Sequence, residues 1–212
     1  MWPAVFGLLA DEYDQRYGLD RQVLNEIAEI NYGHAKRNPL AQTRQWRFAD
    51  NSFHEDDTLN PIIEPGVRRL HCGQITDGAC AVILASEKFV ASYQKSRQLT
   101  GPMARIKGWG HRNAGIRYRD KVARSKGATY VFPHVREAIE DSFNRAGITD
   151  VHQLNGIETH DCFSMTEYMA IDHFGITAPG ESWKAVEEGS IKLGGRLPIN
   201  ASGGLIGCGH PV

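Results

Sequence analysis

The stretch LNGIETHDCF (residues 154–163) decides the interpretation of this chain, together with LPINASGGLIGCGHPV at residues 197–212. Each stretch begins with a short apolar run that predicts a strand, from Leu154 to Thr159 and from Leu197 to Ala201. The first run leads directly into His160, and the second opens into a glycine-rich turn. Because chemistry in parallel α/β sheets sits on loops at the carboxyl ends of strands, both motifs are predicted to lie at such ends.

The residue types in these two stretches indicate thiol and imidazole chemistry. A cysteine and a histidine on adjacent strand-end loops could form a thiolate–imidazole pair, with Cys162, His160 and His210 as the candidates. Glycines around His210 would allow close approach to a substrate, and Pro211 would fix the turn. Either motif alone is equally consistent with a glycine turn and a structurally satisfied histidine.

The rest of the chain alternates predicted helices and strands, which is typical of an α/β fold with parallel strands. Asp77-Gly78 followed by the apolar run 79–85 predicts a strand buried on both faces, and residues 104–109 predict another. Helices are predicted over most of 1–37, over 86–96, from Pro133 to Gly147 and over 165–174. Residues 39–66 form an irregular excursion with its own aromatic cluster.

Composition excludes several classes of protein. The 212 residues carry a formal net charge of −1, so no global field favours nucleic acid or anionic membrane. No apolar run is long enough to span a bilayer, and the first ten residues are a poor signal peptide. The four cysteines match no zinc spacing, so we expect reduced thiols, no metal site and a cytoplasmic location.

Four segments together resemble the thiolase family along nearly the whole chain. Residues 200–211 match the family's active-site histidine loop, and Asp77-Gly78-Ala79 matches the end of its first half. Where many thiolases carry Asn-Glu-Ala-Phe, this chain has His160-Asp161-Cys162-Phe163. That substitution, and the segment 38–44, is similar to the sterol-carrier-protein thiolases and the bacterial acetyl-CoA acetyltransferases.

The resemblance implies a layered α-β-α-β-α thiolase fold in incomplete form. Residues 1–100 would be the remainder of the amino-terminal domain with its loop region, and residues 101–212 part of the carboxyl-terminal domain. Thr100-Gly101-Pro102 is the strongest boundary signal between them. The family's nucleophilic cysteine lies upstream of the matched residues, so we expect an internal fragment that is poorly stable and inactive alone.

The resemblance also implies a role for each matched residue. His210 would activate the nucleophilic cysteine and hold the thioester oxygen, and His160 would help to build an oxyanion hole. Cys162 would be a second acid/base thiol, although an ordinary buried thiol is an equal alternative. The substrate loop would be shaped by small and polar residues: Asn200, Ser202, Gly203, Gly204 and Gly209.

The implied activity is acyl-CoA C-acyl transfer in lipid or sterol side-chain metabolism. A thiolase-like aldolase that cleaves hydroxyacyl-CoA, and a non-catalytic remnant that binds lipid-CoA or a subunit, remain open. The resemblance implies no permanently bound cofactor, coenzyme A thioester as substrate, and a homodimer or homotetramer for the complete protein. A eukaryotic member would be peroxisomal.

Overall fold

The computed structural model describes residues 2–211, and within them eight α-helices surround short paired strands. The helices are α1 (Trp2–Tyr17), α2 (Gln22–Ala35), α3 (Glu87–Arg97), α4 (Tyr118–Arg124), α5 (Pro133–Ala146), α6 (Ser164–Phe174), α7 (Ser182–Glu187) and α8 (Gly204–Gly207). The strands are β1 (Ile62–Glu64), β2 (Val67–Arg68), β3 (Ile75–Thr76) and β4 (His210–Pro211). Single turns of 3₁₀-helix cover Arg69–His71 and Val151–Gln153. The predicted helices are all present.

Two helices, α2 and α6, form the centre of the core. Both are buried on nearly every side, which explains why apolar residues occur around their whole circumference rather than along one stripe. α2 packs against α6, α7 and α8, and α1 covers α6 through Tyr13, whose ring meets Tyr168 edge-on at 5.2 Å. The central position of α2 brings it against the histidine loop at residues 200–211.

Parallel pairing joins the two stretches that the sequence singled out. Ile157 pairs with Ile199 in a parallel bridge, and β3 pairs with β4 in parallel. The predicted strands at 154–159 and 197–201 are therefore shortened to a bridge, but their direction and neighbourhood are as expected. The predicted mixed α/β architecture with parallel pairing is confirmed.

Two predicted strands are wrong. Residues 79–85 and residues 104–109 have no regular structure, and their apolar side chains are exposed, with Ile83 at 90% and Ile106 at 66%. The periodicity of these runs is that of buried strands, but within residues 2–211 no strand lies beside them to accept their hydrogen bonds. A boundary at 100–102 remains a prediction.

The excursion at residues 39–66 has the aromatic cluster that the sequence predicted. Phe48 lies 4.8 Å from Tyr32 of α2 and 5.0 Å from Phe53, measured between ring centroids. The same cluster buries Ile206 of α8, so the excursion packs over the histidine loop. Within residues 2–211, none of the helices is both long and apolar enough to cross a membrane.

Candidate functional site

Backbone pairing aligns the ends of two strand segments side by side. The Ile157 amide donates to the Pro198 carbonyl at 2.9 Å, and the Asn200 amide donates to the Ile157 carbonyl at 2.8 Å. Immediately beyond, the Thr159 amide donates to the Asn200 Oδ1 at 2.8 Å. These bonds fix where the chain leaves each strand segment, and therefore where His160 and the histidine loop begin.

Three chemically active side chains meet at this edge. His160, Cys162 and His210 each bring one ring nitrogen or sulfur atom to within 4.8 Å of the others. The two imidazole rings are 6.1 Å apart between centroids and nearly perpendicular, at 81°. His160 is exposed, Cys162 is buried and His210 is half-buried, so the cluster opens to solvent on the His160 side. The three predicted catalytic residues are thus brought together.

His210 is positioned by strand β4 and by the segment 38–44. β4 pairs with β3, which places His210 beside Ile75. The Gln42 amide donates to the Cys208 carbonyl at 2.8 Å, and its side chain donates to the Asp77 carbonyl at 3.0 Å. Asn38 donates to the Ser202 carbonyl at 2.9 Å. Segment 38–44 therefore holds the histidine loop at both ends.

Two glycines allow the histidine loop to pack tightly. Gly203 and Gly204 adopt φ values of +105° and +62°, which residues with a side chain rarely adopt. A Cβ at Gly203 would approach Ala35 of α2 to 2.7 Å, and one at Gly204 would collide with the Asp161 carboxylate. The predicted shaping role of these glycines has a steric basis in the fold, whereas their contact with substrate remains a prediction.

Asp161 is a structural anchor that no local sequence pattern predicts. Its buried carboxylate accepts hydrogen bonds from the amides of Leu205 at 2.6 Å and Ile206 at 3.3 Å. Asn31 of α2 donates to the same carboxylate at 3.0 Å. Asp161 therefore ties the loop that carries His160 and Cys162 to the start of α8 in the histidine loop.

Glu167 extends this anchor into the core. Its Oε2 accepts from Asn31 at 2.5 Å and from Asn200 at 2.8 Å. Burial, and then the nearby Asp161 charge, raises the pKa of the Glu167 carboxyl above its ordinary value. At the surface, Ser202 donates its hydroxyl to Glu158 at 2.7 Å. Asn200 and Ser202 are thus committed to bonds within the protein, and their predicted role at the substrate stays a prediction.

Burial determines the protonation of the site. His160 is exposed as a residue, but partial desolvation of its ring lowers its pKa, and the neighbouring His210 adds to this effect. Burial raises the pKa of Cys162 to about 11. Burial also raises the pKa of Cys72 to about 12 and raises that of Cys208. At neutral pH His160 is therefore a neutral hydrogen-bonding group, and Cys162 is a protonated thiol.

An open cleft of about 470 Å³ borders the site between α5 and α6. Thr159, the residue before His160, forms one wall, and Ile139, Phe143 and Phe174 give the cleft an apolar lining.

Comparison with known proteins bears on both fold and family. Residues 118–212 match a family model described as thiolase C-terminal domain-like. The chain is 28% identical over 211 residues to an acetyl-CoA acetyltransferase of Methanothermobacter thermautotrophicus, covering 100% of this chain and 51% of that protein. It is also 28% identical over 211 residues to human sterol carrier protein 2, covering 99% of this chain and 36% of that protein.

Solved structures share the fold. A structure titled "Ltp2-ChsH2(DUF35) aldolase" superimposes with a TM-score of 0.76 at 23% identity, covering 96% of this chain and 50% of that one. The chain thus spans about half or less of the proteins it matches. The family model covers the histidine loop and the His160 motif, and the relatives align along the entire chain. The chain therefore has the fold of a thiolase-like protein, and residues 118–212 are similar to the thiolase C-terminal domain.

Proposed function

We propose that this chain carries part of the catalytic site of a thiolase-type acyl-CoA C-acyltransferase, which makes or breaks a carbon–carbon bond beside a coenzyme A thioester. The supporting observation is the convergence of His160, Cys162 and His210 within 4.8 Å at the ends of two parallel segments. The names of the relatives, acetyl-CoA acetyltransferase and sterol carrier protein 2, support the acyl-CoA substrate class.

The two imidazoles act on the thioester oxygen. When the α-carbon loses a proton, the electron pair moves onto the carbonyl oxygen and forms an enolate. His160 and His210 donate hydrogen bonds to that oxygen, and one such donor is worth about 10²–10³ in rate. One nitrogen of each ring lies within 4.8 Å of the other, so the two donors are close enough to serve a single developing charge.

Cys162 moves the proton at the α-carbon. Its thiol first loses its proton to solvent, and the thiolate, which is a strong base because burial disfavours the charge, then takes the α-proton and becomes a thiol again. In the reverse direction the thiol returns that proton to the enolate carbon. In acyl transfer, the enolate carbon attacks an acyl-cysteine, the new carbon–carbon bond forms, and the cysteine sulfur leaves as thiolate. Burial makes Cys72, Cys162 and Cys208 poor carriers of that acyl group, because it raises the pKa of each thiol.

The same observation favours a second candidate, a thiolase-like aldolase. Cleavage of a 3-hydroxyacyl-CoA needs a base for the hydroxyl proton and donors for the enolate oxygen, and no acyl-cysteine. The carbon–carbon bond breaks, a carbonyl product leaves, and the enolate takes a proton at carbon. His160, His210 and Cys162 suffice for these roles, so retro-aldol cleavage is the alternative to acyl transfer.

Exchange of the α-protons of acetyl-CoA with solvent deuterium, followed by NMR, tests the shared step. We expect exchange above the buffer rate, and a decrease of about 10²–10³ in His160→Gln and His210→Gln. His54→Gln, at an exposed position outside the site, is the matched control. Equal exchange in all variants would remove the two histidines from the proposal.

A second assay separates the candidate reactions. Thiolysis of a 3-ketoacyl-CoA by coenzyme A tests acyl transfer, and release of a carbonyl product from a 3-hydroxyacyl-CoA tests the aldolase. We expect α-proton exchange with thiolysis below detection for the chain alone. Absence of exchange, together with thermal stabilisation by coenzyme A, would instead indicate a non-catalytic binding protein.

We further propose a cytoplasmic location, supported by four free thiols, and a homo-oligomeric assembly.

A further inference from the structure

We propose that His160, Cys162 and His210 form a zinc-binding site with one coordination position open to solvent. The cysteine spacings predict no metal site, and 47 residues lie between Cys162 and His210. In the fold these residues are nevertheless close in space, because the two strand ends lie side by side. The proposal uses the same residues as the proposed function, but it does not depend on the reaction.

The distances suit a tetrahedral ion after small side-chain rotations. Zinc binds imidazole nitrogen at about 2.0–2.1 Å and thiolate sulfur at about 2.3 Å, so its ligand atoms lie roughly 3.3–3.8 Å apart. The three ligand atoms here are already within 4.8 Å of one another. His160 is exposed, so its ring can turn to close the remaining gap.

The donor set selects the kind of metal. One thiolate and two neutral imidazoles favour zinc over the hard cations Mg²⁺ and Ca²⁺, which prefer oxygen ligands. The Asp161 carboxylate does not compete, because it is committed to the Leu205 and Ile206 amides and to Asn31. Binding replaces the Cys162 S–H bond with a zinc–sulfur bond and releases one proton to solvent.

The environment of His210 is an independent observation in favour of a metal ligand. Nδ1 of His210 is buried and has no hydrogen-bond partner among residues 2–211. Ligating histidines in metal sites have one nitrogen on the ion and the other available for an outer partner. The His210 ring is not held in any one tautomer by a bond at Nδ1, so it can present a neutral nitrogen to an ion. Three protein ligands and an open side at His160 give the composition of a zinc site that keeps a water.

Cobalt(II) spectroscopy on the metal-stripped 212-residue chain, without substrate, tests the site. We expect one equivalent of Co²⁺ to give thiolate-to-cobalt charge-transfer and tetrahedral bands, and Zn²⁺ to displace it. Cys162→Ser should lose the charge-transfer band, and His160→Gln and His210→Gln should weaken binding roughly tenfold or more. Cys80→Ser, at an exposed cysteine outside the cluster, should leave the spectrum unchanged.

Two outcomes would overturn the proposal. One is the absence of saturable binding by the unmodified chain, and the other is a charge-transfer band that survives Cys162→Ser. Because His160 is exposed, His160→Gln keeps the test decisive even if Cys162→Ser does not fold. Metal binding without α-proton exchange would contradict only the proposed function, and exchange in metal-free protein without metal binding would contradict only the zinc site.

Discussion

Residues 79–85 and residues 197–201 are similar apolar runs, but the first is exposed in the fold and the second is largely buried. Leu197 and Ile199 are fully buried, and their amides donate to Ser190 and Ile191 on one side while Ile157 pairs on the other. The run 79–85 is exposed along its length, and its backbone makes no hydrogen bond to the rest of residues 2–211. An apolar run is therefore buried in extended form only where neighbouring segments pair with it on both sides.

The largest expected effect tests this comparison directly. Ile199→Ala should lower the free energy of unfolding by about 2–5 kcal/mol, because it leaves a cavity between α2, α6 and the paired segments. Ile83→Ala, at an exposed position, should change it by less than about 0.5 kcal/mol. Urea unfolding followed by circular dichroism measures both. If Ile83→Ala destabilised the chain as much as Ile199→Ala, residues 79–85 would be a buried strand in solution.

The helices and the site motifs could be predicted from sequence because their signals are local. Pro133 begins α5 and Gly147 ends it in the left-handed conformation, as the capping pattern predicted. The strands at 79–85 and 104–109 could not be judged in this way. Periodicity reports that a run could be buried, but it carries no information about which segment lies beside it.

The candidate site likewise contains residues that local motifs predict and residues that they do not. His160, Cys162 and His210 were found because they lie in two short motifs after predicted strands. The supporting residues were not found, because Asn31 and Asp161 are 130 positions apart and neither belongs to a local pattern with the other. Only the packing of α2 against the histidine loop brings them together. Asn31 is one of several polar residues on α2, so the sequence of that helix did not mark it as a buried partner.

Asp161 provides the next test, since its carboxylate joins the two motifs within the well-packed region. Asp161→Ala should lower the free energy of unfolding by about 2–4 kcal/mol, because the Leu205 and Ile206 amides and Asn31 lose their acceptor. Asp77→Ala is the matched control, because Asp77 is exposed and only its backbone carbonyl is hydrogen-bonded to Gln42. Similar losses in both variants, measured by urea unfolding, would mean that Asp161 does not anchor the loop.

Gly204 allows the stability cost of backbone strain to be separated from the cost of tight packing in the histidine loop. Gly204→Ala should cost about 2–3 kcal/mol, because its Cβ would meet the Asp161 carboxylate in addition to the strain at φ +62°. Gly194→Ala has similar strain, at φ +87°, but no atom within 4 Å of its Cβ, so it should cost about 1 kcal/mol. Thermal melts of the two variants give the difference, and equal shifts would show that the loop is not tightly packed on Asp161.

The last test concerns pH and depends on burial of Glu167. Since its folded pKa is raised to about 8 from an ordinary 4.5, the protonated carboxyl stabilises the fold fully below pH 4.5, and this contribution is lost as pH rises towards 8. The loss is at most about 1.4 kcal/mol per pH unit. The carboxylates that face it, Asp161 and Glu158, act in the same direction, whereas Asn31 and Asn200 donate to it and oppose the shift.

Glu167→Gln retains an acceptor for Asn31 and Asn200 but cannot ionise, so the free energy of unfolding should fall less between pH 5 and pH 8 than in the unmodified chain. The variant should therefore be close to the unmodified chain at pH 5 and more stable at pH 8, which urea unfolding at the two pH values measures. Glu187→Gln, at an exposed position, should leave the pH profile unchanged. Parallel profiles for Glu167→Gln and the unmodified chain would mean that water reaches this carboxyl. In that case the contrast with the open run at 79–85 would be smaller than the packing around α2 indicates.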